Sequence, residues 1–208
     1  MSQTLDVFAL CVQLKVLCVG LSVMDGRTAR AAKNRQAVLD AALALIDEGD
    51  LHPTAQAVAE RAGVATRSLY HHFHDLETLY LSAAQTQIAR HWGVLLDPVT
   101  GELGARIDAL VTVRAKLYEG VTNVRRAAVL REHESVVLSE RMNESRAALR
   151  AHLRTNLPEL EALGQAEREA VFAMGSWETW DVLRRHQGLT ADAARAAVVA
   201  VLTRMLGA

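Results

Sequence analysis

The sequence predicts an all-α protein, with a three-helix N-terminal module followed by a larger helical domain. Ala and Leu are the most frequent of the 208 residues, and Arg and Glu supply most of the charged ones; these residue types favour helix over sheet. Apolar residues recur at helical spacing along most of the chain after residue 25. Half of all residues are apolar, which is enough to build a sizeable core.

Charge and cysteine content limit the possible classes of protein. The formal net charge is −1, so any binding to nucleic acid must depend on local clusters of charge. Cys11 and Cys18 are the two cysteines of the chain, so neither a disulfide framework nor a cysteine zinc site can hold the main body together. We therefore expect a protein of the reducing cytoplasm.

The first 23 residues are unusually apolar. The run from Val7 to Val23 is interrupted at Gln13 and Lys15, whereas a spanning helix needs about 20 apolar residues and a signal peptide places its positive charge before the run. Met24 precedes a basic segment that is typical of the start of a DNA-binding protein. We expect translation to begin there; the alternative is a short hydrophobic segment that docks or anchors weakly.

Three short helices open the main body. The apolar spacing predicts a helix over residues 33–48, after which Gly49 supplies the left-handed residue that commonly ends a helix. Thr54 is placed to cap a second helix over Ala55–Ala62. A third helix is predicted over Thr66–Phe73, only a few residues further on.

Longer helices follow. Asp75 is placed to cap a helix with Leu76, Leu79, Tyr80, Ala83 and Ile88 on one side. After a break around residues 97–101, helices are predicted from Leu103 onwards and at about residues 127–153, 167–187 and 191–206. Gly188 is placed to end the helix before the last one, and Thr190 is placed to cap the last helix. We divide the chain into a leader (1–23), a three-helix domain (24–80) and a helical domain (81–208).

Two short helices joined by a glycine turn form the core of a helix-turn-helix. We expect the second helix to pack across the third through Val58, Ala59, Val64 and Leu69. One face of the third helix would then be free to enter a DNA major groove, which is about 12 Å wide.

The stretch from Thr54 to Phe73 reads TAQAVAERAGVATRSLYHHF. Together with the run Asp75 to Leu79, it resembles the helix-turn-helix of the TetR family of bacterial repressors, over about residues 33–80. The resemblance implies a homodimer that places two recognition helices on a palindromic operator. It also implies a small-molecule effector that binds the C-terminal domain and changes the spacing of those helices.

Three positions depart from the family pattern. Ala65 stands where relatives carry a capping Ser or Thr, so Thr66 is the expected cap instead. Leu76 replaces a common phosphate-binding Lys, and His74 replaces a common Pro. These changes imply that contacts to the DNA backbone are weaker here or come from other residues.

Several polar side chains are candidates for DNA contact. Arg27, Arg30, Lys33 and Arg35 form a basic arm suited to phosphates or the minor groove, with a solvated tail as the alternative. Arg67 can contact guanine or hold a phosphate. The remaining candidates lie on or before the recognition helix: Thr54, Thr66, Ser68, Tyr70 and His71.

The C-terminal domain carries the residues expected to bind the effector and the second subunit. Large side chains that could line an apolar pocket, with one polar neighbour, are Trp92, Tyr118, Met174, Trp177, Trp180 and His133. An apolar surface on the last two helices favours a four-helix dimer interface: Leu183, Ala194, Ala197, Val198, Val201, Leu202 and Met205.

Other classes of function are less well supported by the residues. No phosphate loop, nucleophile elbow or metal-ligand set occurs, which disfavours a small helical enzyme and predicts no cofactor and no catalytic residue. His71, His72 and His74 lack the partners of a metal site. A membrane-tethered interaction protein would require the apolar leader to be inserted; we expect no membrane partner.

Overall fold

The computed structural model describes residues 26–95 and 99–207. Within these ranges the chain forms helices and contains no strand, so the all-α prediction is confirmed. No helix in these ranges is long and apolar enough to cross a bilayer. The apolar leader, residues 1–23, and its alternative readings lie outside the described residues.

Helix α1 spans Gly26–Asp47, so it begins seven residues earlier than the predicted residue 33. One side of this helix is buried, including Val38, Leu39 and Ile46. Gly49 follows with a φ of +103°, the left-handed conformation that a glycine adopts without steric cost. The predicted end of the helix is therefore confirmed.

Helices α2 (Ala55–Ala62) and α3 (Thr66–His72) form the helix-turn-helix. The hydroxyl of Thr54 accepts a hydrogen bond from the amide of Ala57 at 3.2 Å, which confirms the predicted cap. Gly63 lies between the helices with a φ of +67°. Helix α3 begins after Ala65 without a side-chain cap. Thr66 is already helical, so the expectation that it serves as the cap was wrong.

Helix α4 spans Leu76–Trp92. A carboxylate oxygen of Asp75 accepts a hydrogen bond from the Thr78 amide at 2.7 Å, and this bond holds the pKa of Asp75 below its usual value. A 3₁₀ turn, Gly93–Leu95, follows α4. The cap predicted from the sequence is confirmed.

Helices α5 (Leu103–Val129) and α6 (Val136–Asn156) differ from the prediction at their junction. A helix was predicted from Ala127, but α5 continues through that residue, and α6 begins only after successive tight turns. The Ser135 hydroxyl accepts a hydrogen bond from the Leu138 amide at 3.1 Å and thereby fixes the start of α6. No glycine or proline marks this turn in the sequence.

The helix predicted over residues 167–187 is interrupted. Helix α7 (Gln165–Met174) ends at Gly175, α8 spans Trp177–Asp181, and a π-helical segment covers Val182–His186. The Ser176 hydroxyl accepts a hydrogen bond from the Thr179 amide and caps α8. Apolar spacing alone did not reveal this local break.

The last helix, α9, spans Ala191–Leu206 and begins after Thr190, whose hydroxyl accepts a hydrogen bond from Ala193. A 3₁₀ segment, Pro158–Ala162, lies between α6 and α7. The predicted helix over residues 191–206 and its cap are confirmed.

The described residues divide into two compact units. The first contains residues 26–90 and 123–138, and the second contains residues 91–122 and 139–207. Each unit has its own apolar core: Val58, Leu69 and Phe73 are buried in the first, and Ile107, Leu153 and Leu202 in the second. The functional boundary at residue 80 remains a prediction.

Candidate DNA-binding surface

Helix α3 has a buried side and an exposed side. Leu69 is fully buried among residues of the first unit, and Phe73 follows the helix at 1% exposure. Thr66, Arg67 and His71 are exposed, Ser68 is half-buried, and Tyr70 keeps 48% of its surface in water. The apolar side anchors the helix, so its polar side chains point away from the core.

Thr54 offers a hydroxyl at the start of α2. Its oxygen accepts the capping hydrogen bond from the Ala57 amide, so its proton is available to donate to another acceptor. The residue is exposed. A phosphate oxygen is an acceptor of the required kind.

The charges of the first unit are sorted into paired and unpaired groups. Arg61 binds both carboxylate oxygens of Glu48, at 2.7 and 2.6 Å, and Arg90 binds Asp40 at 2.7 Å. Across residues 26–95 and 99–207, by contrast, no carboxylate lies within 4 Å of Arg30, Lys33 or Arg67. These three cations can therefore meet a phosphate without first breaking an ion pair.

The basic arm is helical where the structure describes it. Arg30 and Lys33 lie one turn apart on α1, and both are exposed. The side chain of Arg27 lies outside the described residues. Arg35 instead places its guanidinium over the ring of Phe73, 4.8 Å from the centroid. It therefore supports the end of α3 rather than extending away from the fold.

The histidines around α3 do not come together as a metal site. The rings of His71 and His72 lie edge to face, with centroids 5.7 Å apart, and His74 lies 3.3 Å from the Asp75 carboxylate. Burial, with smaller contributions from His71 and Arg35, lowers the pKa of His72. Nowhere in the described chain do three potential ligands cluster.

Comparison with known proteins identifies this architecture. Residues 38–83 match the family model of the bacterial regulatory proteins of the tetR family. The matched residues, which include the helix-turn-helix, are therefore similar to the DNA-binding domain of that family. The predicted resemblance over about residues 33–80 is thereby confirmed. The sequence matches no curated protein at a significant level.

The similarity of fold extends beyond the matched segment. A transcriptional regulator from Rhodococcus sp. Rha1 superposes with a TM-score of 0.65 at 18% identity, over 85% of this chain and 96% of that chain. A candidate transcriptional regulator from Streptomyces coelicolor A3(2) gives 0.58 at 19% identity, over 85% and 99%. At this identity, the likeness concerns the fold alone.

The side chains predicted to bind an effector are dispersed. Tyr118, Met174 and Trp180 line a cavity of about 10 Å³ in the second unit, which leaves room for roughly one water molecule. Trp177 is buried and donates its indole N–H to Thr122 at 3.1 Å. Trp92 is half-buried.

His133 belongs to the first unit, in the turn between α5 and α6, and its side chain is 75% exposed. A larger cavity, of about 430 Å³, also lies in the first unit. No local pattern predicted this cavity, because its walls come from three segments that lie far apart in the sequence. In each of these segments the spacing of the apolar residues predicts only a helix with one buried face.

Proposed function

We propose that this protein is a cytoplasmic, non-catalytic transcriptional repressor that binds a palindromic operator as a homodimer and leaves it when a small-molecule effector binds. The observation that carries the proposal is the exposed face of α3, where Arg67 has no ion-pair partner in the described chain. That face belongs to a TetR-family helix-turn-helix. Such a face is suited to the major groove.

Each polar residue has a proposed role at the DNA. Arg67 reads a guanine or holds a phosphate, and Thr66 and Ser68 stand beside it at the start of α3. Tyr70, His71 and Thr54 donate to phosphate oxygens. Arg27, Arg30 and Lys33 add backbone or minor-groove contacts from α1.

Dimerisation supplies the specificity that one helix lacks. Helix α3 has seven residues and can reach few base pairs, whereas two copies on symmetric half-sites read about twice as many. Of the apolar residues predicted for the interface, Ala194, Val198 and Leu202 pack into the chain's own core. Val201 is 37% exposed and remains available to a partner, and so does Val182, which was not predicted and is 44% exposed.

The proposed control is a shift between two populations. An effector that binds more tightly to a dimer whose recognition helices cannot both reach the operator lowers the fraction on DNA. Linkage requires that operator DNA weaken effector binding by the same factor. We propose that the effector is bound by the side chains predicted from the sequence: Trp92, Tyr118, His133, Met174, Trp177 and Trp180.

Binding to the intergenic DNA upstream of its own gene tests the proposal. Wild-type protein is titrated against that DNA and against a shuffled sequence of the same composition, at two salt concentrations. We expect the natural sequence to bind more tightly, two chains to bind per operator, and affinity to fall with salt. The proposal would be contradicted if the protein bound natural and shuffled DNA with equal affinity and if selection from a random DNA pool enriched no sequence that it binds more tightly.

A further inference from the structure

The cavity of about 430 Å³ lies within the first unit, beside the turn that precedes α2. Its walls come from the end of α1, the first half of α4 and residues 124–138. Much of the lining is apolar and includes Ile46, Leu51, Leu81, Val124 and Leu138. The volume falls in the range of small-molecule sites, roughly 300–1,000 Å³.

Arg131 is the cation of this cavity, and it has no carboxylate partner. Its Nε donates to Nδ1 of His52 at 3.0 Å, and its guanidinium lies 4.3 Å from the centroid of the Tyr80 ring. No carboxylate of the described ranges comes within 4 Å of it. A partly buried guanidinium is suited to a planar anion because its fork of N–H groups matches a carboxylate.

The carboxylates around the cavity already have neighbours of their own. Glu77 accepts a hydrogen bond from the hydroxyl of Ser135, and Glu134 lies 3.6 Å from the imidazole of His133. Both glutamates are exposed. Of the charged side chains that line the cavity, Arg131 is therefore the one best placed to bind an anionic ligand.

We propose that this cavity binds a small apolar carboxylate, with its anionic group on Arg131 and its apolar body against the aliphatic wall. An aromatic acid of one or two rings, or a short acyl acid, matches the volume and the single cation. The apolar contacts supply the driving force, and the guanidinium fixes the orientation.

Occupation of the site would act on the helix-turn-helix directly. His52 and Pro53 belong to the turn before α2; Arg131 bonds to the first and the Tyr80 hydroxyl to the second. A carboxylate on Arg131 competes with His52 for the guanidinium and so loosens this turn. This step rests on the proposed function, because it makes the ligand an effector of DNA binding.

The test measures the binding of two probes, 2-naphthoate and octanoate, to the full chain without DNA. Binding is measured by titration calorimetry. We expect one site per chain for at least one probe, and affinity at least about tenfold lower in Arg131→Gln. Ala128→Phe, which fills the cavity from α5, should also reduce binding. Arg141→Gln removes an exposed arginine that pairs with Glu144 outside the cavity and should leave binding unchanged.

The contrary results are equally definite. Absence of binding by both probes in the millimolar range would overturn the site, as would binding that both cavity variants leave intact. Tighter binding of 2-naphthylmethylammonium than of 2-naphthoate would show that the glutamates select the ligand, and would also overturn it.

The effect on DNA is measured separately. We expect the bound probe to lower operator affinity in wild type and to have no effect in Arg131→Gln. Probe binding with unchanged operator affinity would refute the coupling and support the site. A protein that binds no DNA would refute the proposed function, while the calorimetry would still decide the site.

Discussion

The phenol of Tyr80, on α4, donates a hydrogen bond to the carbonyl oxygen of Pro53, in the turn before α2. Twenty-seven residues separate the two in sequence. Pro53 is buried and Tyr80 is half-buried, and burial raises the pKa of the phenol. The bond ties α4 to the turn that positions the helix-turn-helix.

Replacing Tyr80 with Phe should therefore destabilise the first unit. The Pro53 carbonyl loses its donor, and one buried hydrogen bond contributes about 1 kcal/mol. The change is measured by urea unfolding. Tyr70→Phe is the matched control, because the Tyr70 side chain is exposed and has no hydrogen-bond partner in the described chain. Equal stability of the two variants would contradict this account.

Arg114 should be essential for the stability of the second unit. The side chain is 3% exposed, and it donates to the carbonyls of Gly175, at 2.9 Å, and Leu149, at 3.1 Å. Arg114→Met would remove these charged hydrogen bonds, with the Tyr118 hydroxyl left as the remaining side-chain donor to the Gly175 carbonyl, and should cost roughly 3 kcal/mol. Thermal unfolding measures the loss. The exposed Arg141→Met variant should change stability little, so similar losses in both variants would refute the argument.

His152 should make the stability depend on pH. Burial, with a smaller contribution from the Arg114 charge, lowers the pKa of His152 from 6.5 to about 4. Between these values the unfolded chain binds more protons, so this contribution is present above pH 6.5 and is lost as the pH falls toward 4.

From pH 7 to pH 5 the loss from His152 should be about 2 kcal/mol. It is measured by denaturant unfolding at a series of pH values. His152→Asn keeps an acceptor for Arg114 and removes the titration, so its stability should fall less over this range. Parallel curves for wild type and variant would rule out His152 as the source.

Gly120 should not tolerate a side chain. A Cβ at this position of α5 would overlap the imidazole ring of His91, whereas nothing lies within 4 Å of a Cβ at Gly104 in the same helix. Gly120→Ala should therefore destabilise the protein by about 1–3 kcal/mol. Gly104→Ala should be neutral or slightly stabilising. Restoration of stability by His91→Ala in the Gly120→Ala background would confirm the overlap.

Local signals in the sequence predicted the helices that have clear ends. Thr54, Asp75 and Thr190 cap the helices that they were predicted to cap, because capping depends on a few adjacent residues. The break at Gly175 was missed. A Cβ at Gly175 would lie 3.0 Å from a methyl of Leu153 on α6. The helix break therefore depends on a contact with a neighbouring helix, which local sequence does not reveal.

Of the two candidate sites, one could be predicted from local sequence and the other could not. The exposed side of α3 could be predicted, because Leu69 and Phe73 have apolar neighbours nearby in sequence and fix the orientation of Arg67. The cavity around Arg131 could not be predicted. It depends on contacts to His52 and Tyr80, 79 and 51 residues away, and no local pattern specifies contacts over that distance.

The most direct test of the central claim is the operator affinity of Arg67→Ala, compared with Arg141→Ala, over a range of salt concentrations. If the exposed face of α3 binds DNA, Arg67→Ala should lose about tenfold or more in affinity. If Arg67 contacts a phosphate, the slope of log affinity against log salt should also fall by about one. Arg141→Ala should match wild type. Unchanged affinity in Arg67→Ala would contradict the assignment of this helix as the one that reads DNA.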